Sequence, residues 1–149
     1  MTALLRVLLG VLAVVQGTVG GRALLFPESF YRDFPGGGHS WVALLPEYNE
    51  HLTRDVGALS LSLALILGAA AVIMDRTLVQ LALAATAVYA LPHTLFHAVH
   101  LEDFPETDAI AQTAVTVAQI VLVVVGLVLS TRLPRRSGQP EQTVGAMTG

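Results

Sequence analysis

The chain alternates between four long apolar runs and shorter polar connections. The apolar runs cover about residues 4–25, 56–74, 78–99 and 109–129. A helix that crosses about 30 Å of hydrocarbon at about 1.5 Å per residue needs about 20 apolar residues, so each run is long enough to span a bilayer. No run has an ionisable residue at its centre, where a charge is costly. The pattern predicts an all-α fold, an integral membrane antiparallel four-helix bundle over residues 1–133.

The first apolar run also has features of a secretory signal peptide. Arg6 precedes an apolar stretch from Val7 to Val15, and small residues around Gly17 resemble a cleavage site. However, apolar residues resume at Ala23 after the glycines, and cleavage would leave only three helices. A membrane helix is therefore the simpler interpretation of this run.

The connections between the runs differ greatly in length. Residues 75–77 alone separate the second run from the third, which predicts a tight antiparallel hairpin. Residues 26–55 are instead rich in proline, glycine and aromatic side chains, which favour the membrane interface. We expect them to form an interfacial cap on the bilayer, with a short helix from Pro27 through Phe34 and a helix start at Pro46. Residues 134–149 are predicted to form a disordered cytoplasmic tail.

The distribution of arginine predicts how the bundle is oriented. Short connections that carry more Arg and Lys face the cytoplasm. One side of the predicted bundle carries Arg6, Arg76, Arg132, Arg135 and Arg136, whereas the other carries Arg22, Arg32 and Arg54. We therefore expect a multi-pass protein of the cell membrane with both termini in the cytoplasm and the cap outside.

Composition excludes several classes of function. The chain is 54% hydrophobic and only 13% charged, and its 8 basic residues are scattered, so no basic surface is predicted to bind nucleic acid. It has no Cys, which excludes disulfides, thiolate nucleophiles, iron–sulfur clusters and cysteine zinc sites. No phosphate-binding glycine loop, nucleophile elbow or HExxH motif is present.

The third apolar run carries a stripe of polar side chains. The stripe repeats at steps of three or four residues and so occupies one face of a helix, with members Thr86, Tyr89, His93, His97 and His100. Polar side chains within a membrane must face protein or water. They either hydrogen-bond neighbouring groups at the water-facing end of the bundle or line a functional pocket.

Two further polar patterns lie near the same predicted membrane face. At the start of the second helix, Glu50 pairs with Arg54 and His51 with Asp55 at i, i+4 spacing, which is also typical of a solvated helix start. In the fourth run, Asp108 and Gln112 begin a second one-sided stripe. Together these patterns predict a pocket open to the outside, lined by Glu50, Tyr89, Asp108 and Gln112 in addition to the five candidate metal ligands His51, Asp55, His93, His97 and His100.

The candidate ligands suggest a divalent transition metal. Neutral imidazoles one helical turn apart are good ligands for Zn, Fe, Ni or Cu, and a nearby carboxylate can orient them. Distances along the chain from the tight hairpin place Asp55 level with His97, and His51 nearer to His100. We therefore expect Asp55 to pair with His97, and His51 with His100, across the two helices that line the pocket.

Three classes of function are consistent with such a pocket. The first is an accessory or binding component that takes a metal ion or a small amphiphile. The second is a membrane-embedded enzyme that uses the His/Asp cluster for acid–base or metal-assisted chemistry. The third is a small oligomeric transporter. The expected partners are the lipid bilayer and either further copies of the chain or another membrane protein.

The layout resembles that of small bacterial four-helix membrane proteins of the DoxX-like kind. The resemblance rests on the glycines and Arg22 that end the first helix, the Phe/Pro-rich connection, the Asp55-Val56-Gly57-Ala58-Leu59 segment and the close hairpin after it. The segments Phe34–Gly38 and Pro46–His51 are similar to those of actinobacterial membrane proteins. The resemblance implies a link to quinone-dependent redox or membrane-stress complexes, and it assigns no catalytic residue.

Overall fold

The computed structural model describes residues 2–45 and 47–134 and confirms the all-α bundle. In chain order its elements are α1 (Thr2–Leu25), α2 (Pro27–Asp33), β1 (Pro35–Gly36), β2 (His39–Ser40), α3 (Glu50–Ile73), α4 (Arg76–Ala98), a 3-10 turn (Leu101–Asp103) and α5 (Glu106–Ser130). Helices α1, α3, α4 and α5 are each long and apolar enough to cross a membrane, so the chain is a multi-pass membrane protein by helix length and composition. The predicted disordered tail, apart from Pro134, lies outside the described residues.

Side-chain caps fix where the central helices begin and end. The Asn49 side chain accepts a hydrogen bond from the Leu52 N–H at 3.0 Å, so α3 begins at Glu50. The start that we predicted at Pro46 is therefore too early, and Pro46 itself lies outside the described residues. Met74 ends α3 in the left-handed conformation, and the Asp75 side chain caps α4 by accepting from the Leu78 N–H at 3.0 Å. The predicted tight hairpin is confirmed.

Helices α1 and α3 form the most extensively packed pair, and two glycines set their separation. A Cβ atom on Gly20 would lie 2.8 Å from the Gly57 carbonyl oxygen, and one on Gly57 would lie 2.5 Å from the Leu24 nitrogen. Both obstacles are backbone atoms, which side-chain rotation cannot move. Close approach of this kind replaces the hydrophobic effect as a driving force between helices in lipid.

Two arginines join the ends of the same helix pair. The Arg6 side chain donates a 3.0 Å hydrogen bond to the Ala71 carbonyl in the last turn of α3. Arg54 donates in the opposite direction, to the Leu24 carbonyl in the last turn of α1. Each cation therefore satisfies a carbonyl that the helix leaves free and neutralises the negative end of the helix dipole.

Helices α4 and α5 form the second extensive pair, whereas α3 packs less extensively against α4 despite the turn that joins them. We call the end of the bundle with that turn the turn end, and the opposite end the cap end. The apolar core lies toward the turn end and draws on all four long helices, with members Leu5, Leu8, Leu9, Leu12, Leu67, Val79, Leu83 and Val123.

The segment from Phe26 to Leu45 covers the cap end. Here α2 begins at Pro27 as predicted and ends one residue before Phe34, and β1 and β2 follow as a small antiparallel hairpin. Gly37 and Gly38 connect the two strands with φ values of 68° and 87°, which residues other than glycine rarely adopt. Arg22 at the end of α1 ties the hairpin down, because it donates to the Pro35 carbonyl at 3.0 Å and covers the Phe34 ring.

Candidate functional site at the cap end of the bundle

The predicted site residues at the start of α3 pair within their own helix. The His51 Nδ1 and Asp55 Oδ2 atoms are 3.2 Å apart, and these side chains are 88% and 57% exposed. Glu50 contacts Arg54 at 2.8 Å, again one turn along the helix. The expected cross-helix pairing of Asp55 with His97, and of His51 with His100, is therefore replaced by contacts within α3 and, for His100, within its own chain segment.

The polar stripe on α4 is a ladder of aromatic rings. The Tyr89 and His93 rings stack with their centroids 5.2 Å apart, and the His93 and His97 rings meet edge to face at 4.6 Å. Thr86 is also on this face, fully buried, and its hydroxyl donates to the Ala82 carbonyl at 2.8 Å. The helical spacing therefore predicted the shared face of these residues correctly.

His100 does not continue the ladder. Helix α4 ends at Ala98, so the helical spacing no longer applies at His100. Its Nδ1 atom lies 2.8 Å from the Phe96 carbonyl, and its ring stacks on the Phe96 ring at 4.1 Å. His100 is therefore occupied within its own segment.

Asp108 on α5 is buried and has a partner that the sequence analysis missed. Its side chain lies in the first turn of α5, and its Oδ1 atom is 2.7 Å from Nδ1 of His39 on β2. The residue is 6% exposed, and a buried carboxylate is costly without a polar partner. The His39 contact supplies that partner. The only hint in the sequence was a histidine directly after three glycines, a place where a turn can direct it back onto the bundle.

Gln112 lies one turn further along α5 and faces the His97 ring. The residue is 1% exposed, and its side chain and the His97 imidazole are neighbours. No well-formed hydrogen bond joins them, because Gln112 Oε1, Gln112 Nε2 and His97 Nδ1 are all buried without a partner. We call Tyr89, His93, His97 and Gln112 the polar seam. A buried polar group without a partner costs about 1–3 kcal/mol. The polar seam therefore has hydrogen-bonding groups that the protein itself leaves unsatisfied.

The described residues, 2–45 and 47–134, contain no group of three or more His, Asp or Glu side chains placed to hold a metal ion. Of the predicted carboxylates, Asp55 contacts His51 alone among the candidate histidines, and Asp108 contacts His39, which is not in the candidate set. The assignment of His51, Asp55, His93, His97 and His100 as metal ligands therefore stays a prediction without geometric support here.

A separate open groove of about 300 Å³ lies between the start of α2 and the start of α3. Its lining residues are Phe26, Pro27, Glu28, Ser29, Tyr48, Glu50 and Arg54. Glu50, which we predicted in the pocket with the histidines, belongs to this groove. Three of its lining residues are charged. Glu50 and Arg54 contact each other, and Glu28 contacts Arg32, so the groove offers a rim of paired charges.

Comparison of the chain with protein-family models, with curated proteins and with solved structures finds no match. The resemblance to DoxX-like and actinobacterial membrane proteins therefore stays a prediction.

Proposed function

We propose that the protein is a binding component of the cell membrane whose polar seam takes the head group of a small neutral amphiphile. The observation that carries the proposal is the Gln112 amide, which is 1% exposed, adjoins the His97 imidazole and makes no well-formed hydrogen bond at either Oε1 or Nε2. A ligand that accepts from the amide nitrogen and donates to the amide oxygen would offset the cost of burying it.

The surroundings of Gln112 favour a neutral head group. Asp108, the buried carboxylate on the same face of α5, is already paired with His39. A cation therefore finds no free carboxylate in the seam, and an anion would face that carboxylate. The Tyr89 and His93 rings supply a flat wall, and the apolar outer faces of the helices lead to lipid, where the tail of an amphiphile belongs.

Binding is favoured over catalysis by the state of the other polar groups. The carboxylates that a general acid–base mechanism would use, Glu50 and Asp55, are exposed and paired within α3. In this proposal the cap end faces outward and both termini lie in the cytoplasm, as the arginine distribution predicts. The amphiphile then enters from the outer leaflet.

Titration of the purified protein with decanol tests the proposal. The chain has one Trp, Trp41 in the cap, so intrinsic fluorescence reports on this end of the bundle alone. We expect saturable binding of decanol and weaker binding of decanoate and decylamine. Decanol should bind Gln112→Leu at least about tenfold more weakly, since the two hydrogen bonds lost with the amide are together worth at least about 1.4 kcal/mol.

Gln80→Leu is the matched control, because Gln80 is a half-buried glutamine near the turn end of α4. It should bind decanol as the unaltered protein does. Equal decanol affinity in Gln112→Leu and Gln80→Leu would overturn the proposal, as would tighter binding of decylamine than of decanol.

A further inference from the structure

The open groove between the starts of α2 and α3 shares no lining residue with the polar seam, and we call it the α2–α3 groove. Its volume of about 300 Å³ is at the lower end of the range for ligand pockets, which are on the order of 300–1,000 Å³. The α2–α3 groove therefore has room for a small head group rather than for a whole lipid molecule.

Charges of both signs surround the α2–α3 groove. Glu28 pairs with Arg32 at 2.7 Å, and Glu50 pairs with Arg54 at 2.8 Å. The four side chains are between 43% and 69% exposed, so each can contact a ligand as well as its partner. Because these charges sum to zero, we expect the groove to favour a ligand that carries separate positive and negative groups.

Tyr48 shows that these four charges lie close together. The pKa of its phenol is raised above the ordinary value, first by desolvation and then by the negative charges of Glu50 and Glu28. The positive charges of Arg54 and Arg32 oppose that rise. All four side chains are therefore near enough to act on one hydroxyl group, and this hydroxyl belongs to a residue that lines the groove.

Aromatic rings provide the apolar wall of the α2–α3 groove. Phe26 lines it and is 63% exposed, and Tyr48 lines it with its ring held against the Tyr31 ring at a centroid distance of 5.2 Å. An ammonium group is attracted both to the face of an aromatic ring and to a carboxylate. The groove offers the two together, since Glu28 also lines it.

Arg54 retains donors for a negative group. Its Nε and Nη2 atoms donate to Glu50, and its Nη1 atom donates to the Leu24 carbonyl. A guanidinium group has five N–H donors, so these three bonds leave one on each Nη atom. The planar arrangement of guanidinium donors matches the oxygens of a phosphate group.

The α2–α3 groove lies where the lipid-facing surface of the bundle begins. Leu25 at the end of α1 is 65% exposed, and Leu52 in the first turn of α3 is 60% exposed. Exposed apolar side chains at the ends of membrane-spanning helices face the acyl chains of the bilayer, so the polar groove beyond them is at the level of the head groups. A lipid head group can therefore enter the groove while its acyl chains remain in the membrane.

We propose that the α2–α3 groove binds the zwitterionic head group of a membrane phospholipid. The ammonium group lies against Glu28 and the Tyr48 ring, and the phosphate accepts from the remaining Arg54 N–H groups. A phospholipid with a net negative charge lacks the ammonium and brings its charge to Glu28. The site uses none of the side chains of the polar seam, so it is independent of the proposed function.

Native mass spectrometry of the protein in a mild non-ionic detergent tests the site, by titration with phosphatidylcholine, phosphatidylethanolamine and phosphatidylglycerol of identical acyl chains. We expect both zwitterionic lipids to bind at least about threefold more tightly than phosphatidylglycerol. Glu28→Gln and Tyr48→Leu should each weaken phosphatidylcholine binding about threefold. The matched control Glu102→Gln removes an exposed glutamate from the 3-10 turn at the cap end and should leave the affinities unchanged.

Charge reversal separates a site in the groove from general attraction of lipids to the cap end. Glu28→Lys should make phosphatidylglycerol bind more tightly than phosphatidylcholine, whereas Glu102→Lys should keep the zwitterionic preference. Equal affinity of the unaltered protein for phosphatidylcholine and phosphatidylglycerol would overturn the inference, as would equal effects of Glu28→Gln and Glu102→Gln. Glycerophosphocholine, which has no acyl chains, should bind more weakly than the lipid. Binding of equal strength would assign the groove to a soluble ligand and overturn its assignment to a phospholipid.

Discussion

Single glycines determine how closely α1 and α3 approach. At Gly57 the space that a methyl group would occupy is already filled by backbone atoms of Ala23 and Leu24. Gly68 lies on the same helix with nothing within 4 Å of the corresponding position. Gly57 is thus required for close packing, whereas Gly68, eleven positions further along, is not. The difference arises because α1 packs against α3 at Gly57 and no atom of the described residues lies near the corresponding position of Gly68.

Replacement of these two glycines by alanine should therefore have opposite effects. We expect Gly57→Ala to lower the free energy of unfolding by about 1–3 kcal/mol, because α1 must move away from α3. Gly68→Ala should be neutral or stabilising by up to about 1 kcal/mol, since Ala is the better helix former. Equilibrium unfolding in mixed detergent micelles measures both. Equal effects of the two changes would show that Gly57 does not limit the helix approach.

Local spacing also decided which site residues could be predicted. The common face of Tyr89, His93 and His97 follows from helical periodicity alone. His100 could not be placed in this way, because the helix ends two residues before it. The His39 contact with Asp108 joins residues far apart in the sequence, and no periodic pattern encodes such a contact.

At the scale of elements, two polar contacts among the described residues hold the β1–β2 hairpin of the cap to the bundle. Arg22 of α1 bonds the carbonyl of Pro35 on β1, and His39 on β2 reaches Asp108 at the start of α5. Between these contacts the backbone N–H of Trp41 donates to the Phe34 carbonyl at 2.7 Å and closes the hairpin segment. The cap therefore links the first helix pair to the second across the cap end.

Loss of His39 should loosen the cap from α5. We expect His39→Ala to cost about 1–2 kcal/mol, because it leaves the Asp108 carboxylate buried without its partner, and to speed amide hydrogen exchange at Trp41. The control His51→Ala removes an 88% exposed histidine and should change stability by less than about 0.5 kcal/mol. The double variant His39→Ala/Asp108→Asn should cost less than the sum of its single changes. Additive costs would mean that the two residues act independently.

At the scale of the whole molecule, the number and length of the helices were predictable but their pairing was not. Apolar runs of about 20 residues identify spans, and a two-residue connection enforces the α3–α4 hairpin. The apolar pattern contains no information about which faces meet. Close contact at Gly20 and Gly57 gives α3 its main partner in α1 rather than in its neighbour across the turn.

Four membrane spans place the start of α1 and the end of α5 on the same side of the membrane, and the arginine distribution predicts that this side is the cytoplasm. A green fluorescent protein fused after Gly149 should therefore fluoresce in bacterial cells, and alkaline phosphatase at the same position should be inactive. A phosphatase inserted between Gly37 and Gly38 should be active. The reverse pattern would place the cap inside and remove the outer-leaflet route to the polar seam.

The early completion of the α1–α3 pair affects how the protein is made. Every atom of the glycine contact, and both arginine bonds that close its ends, belong to residues 6–71. The ribosome has therefore finished this unit before it begins α4. Newly inserted α1 and α3 can dock in the bilayer while the rest of the chain is still being synthesised, and the α4–α5 pair then joins a surface that already exists. Variants that weaken the glycine contact should accordingly expose a half-made chain to membrane proteases, in addition to weakening the finished bundle.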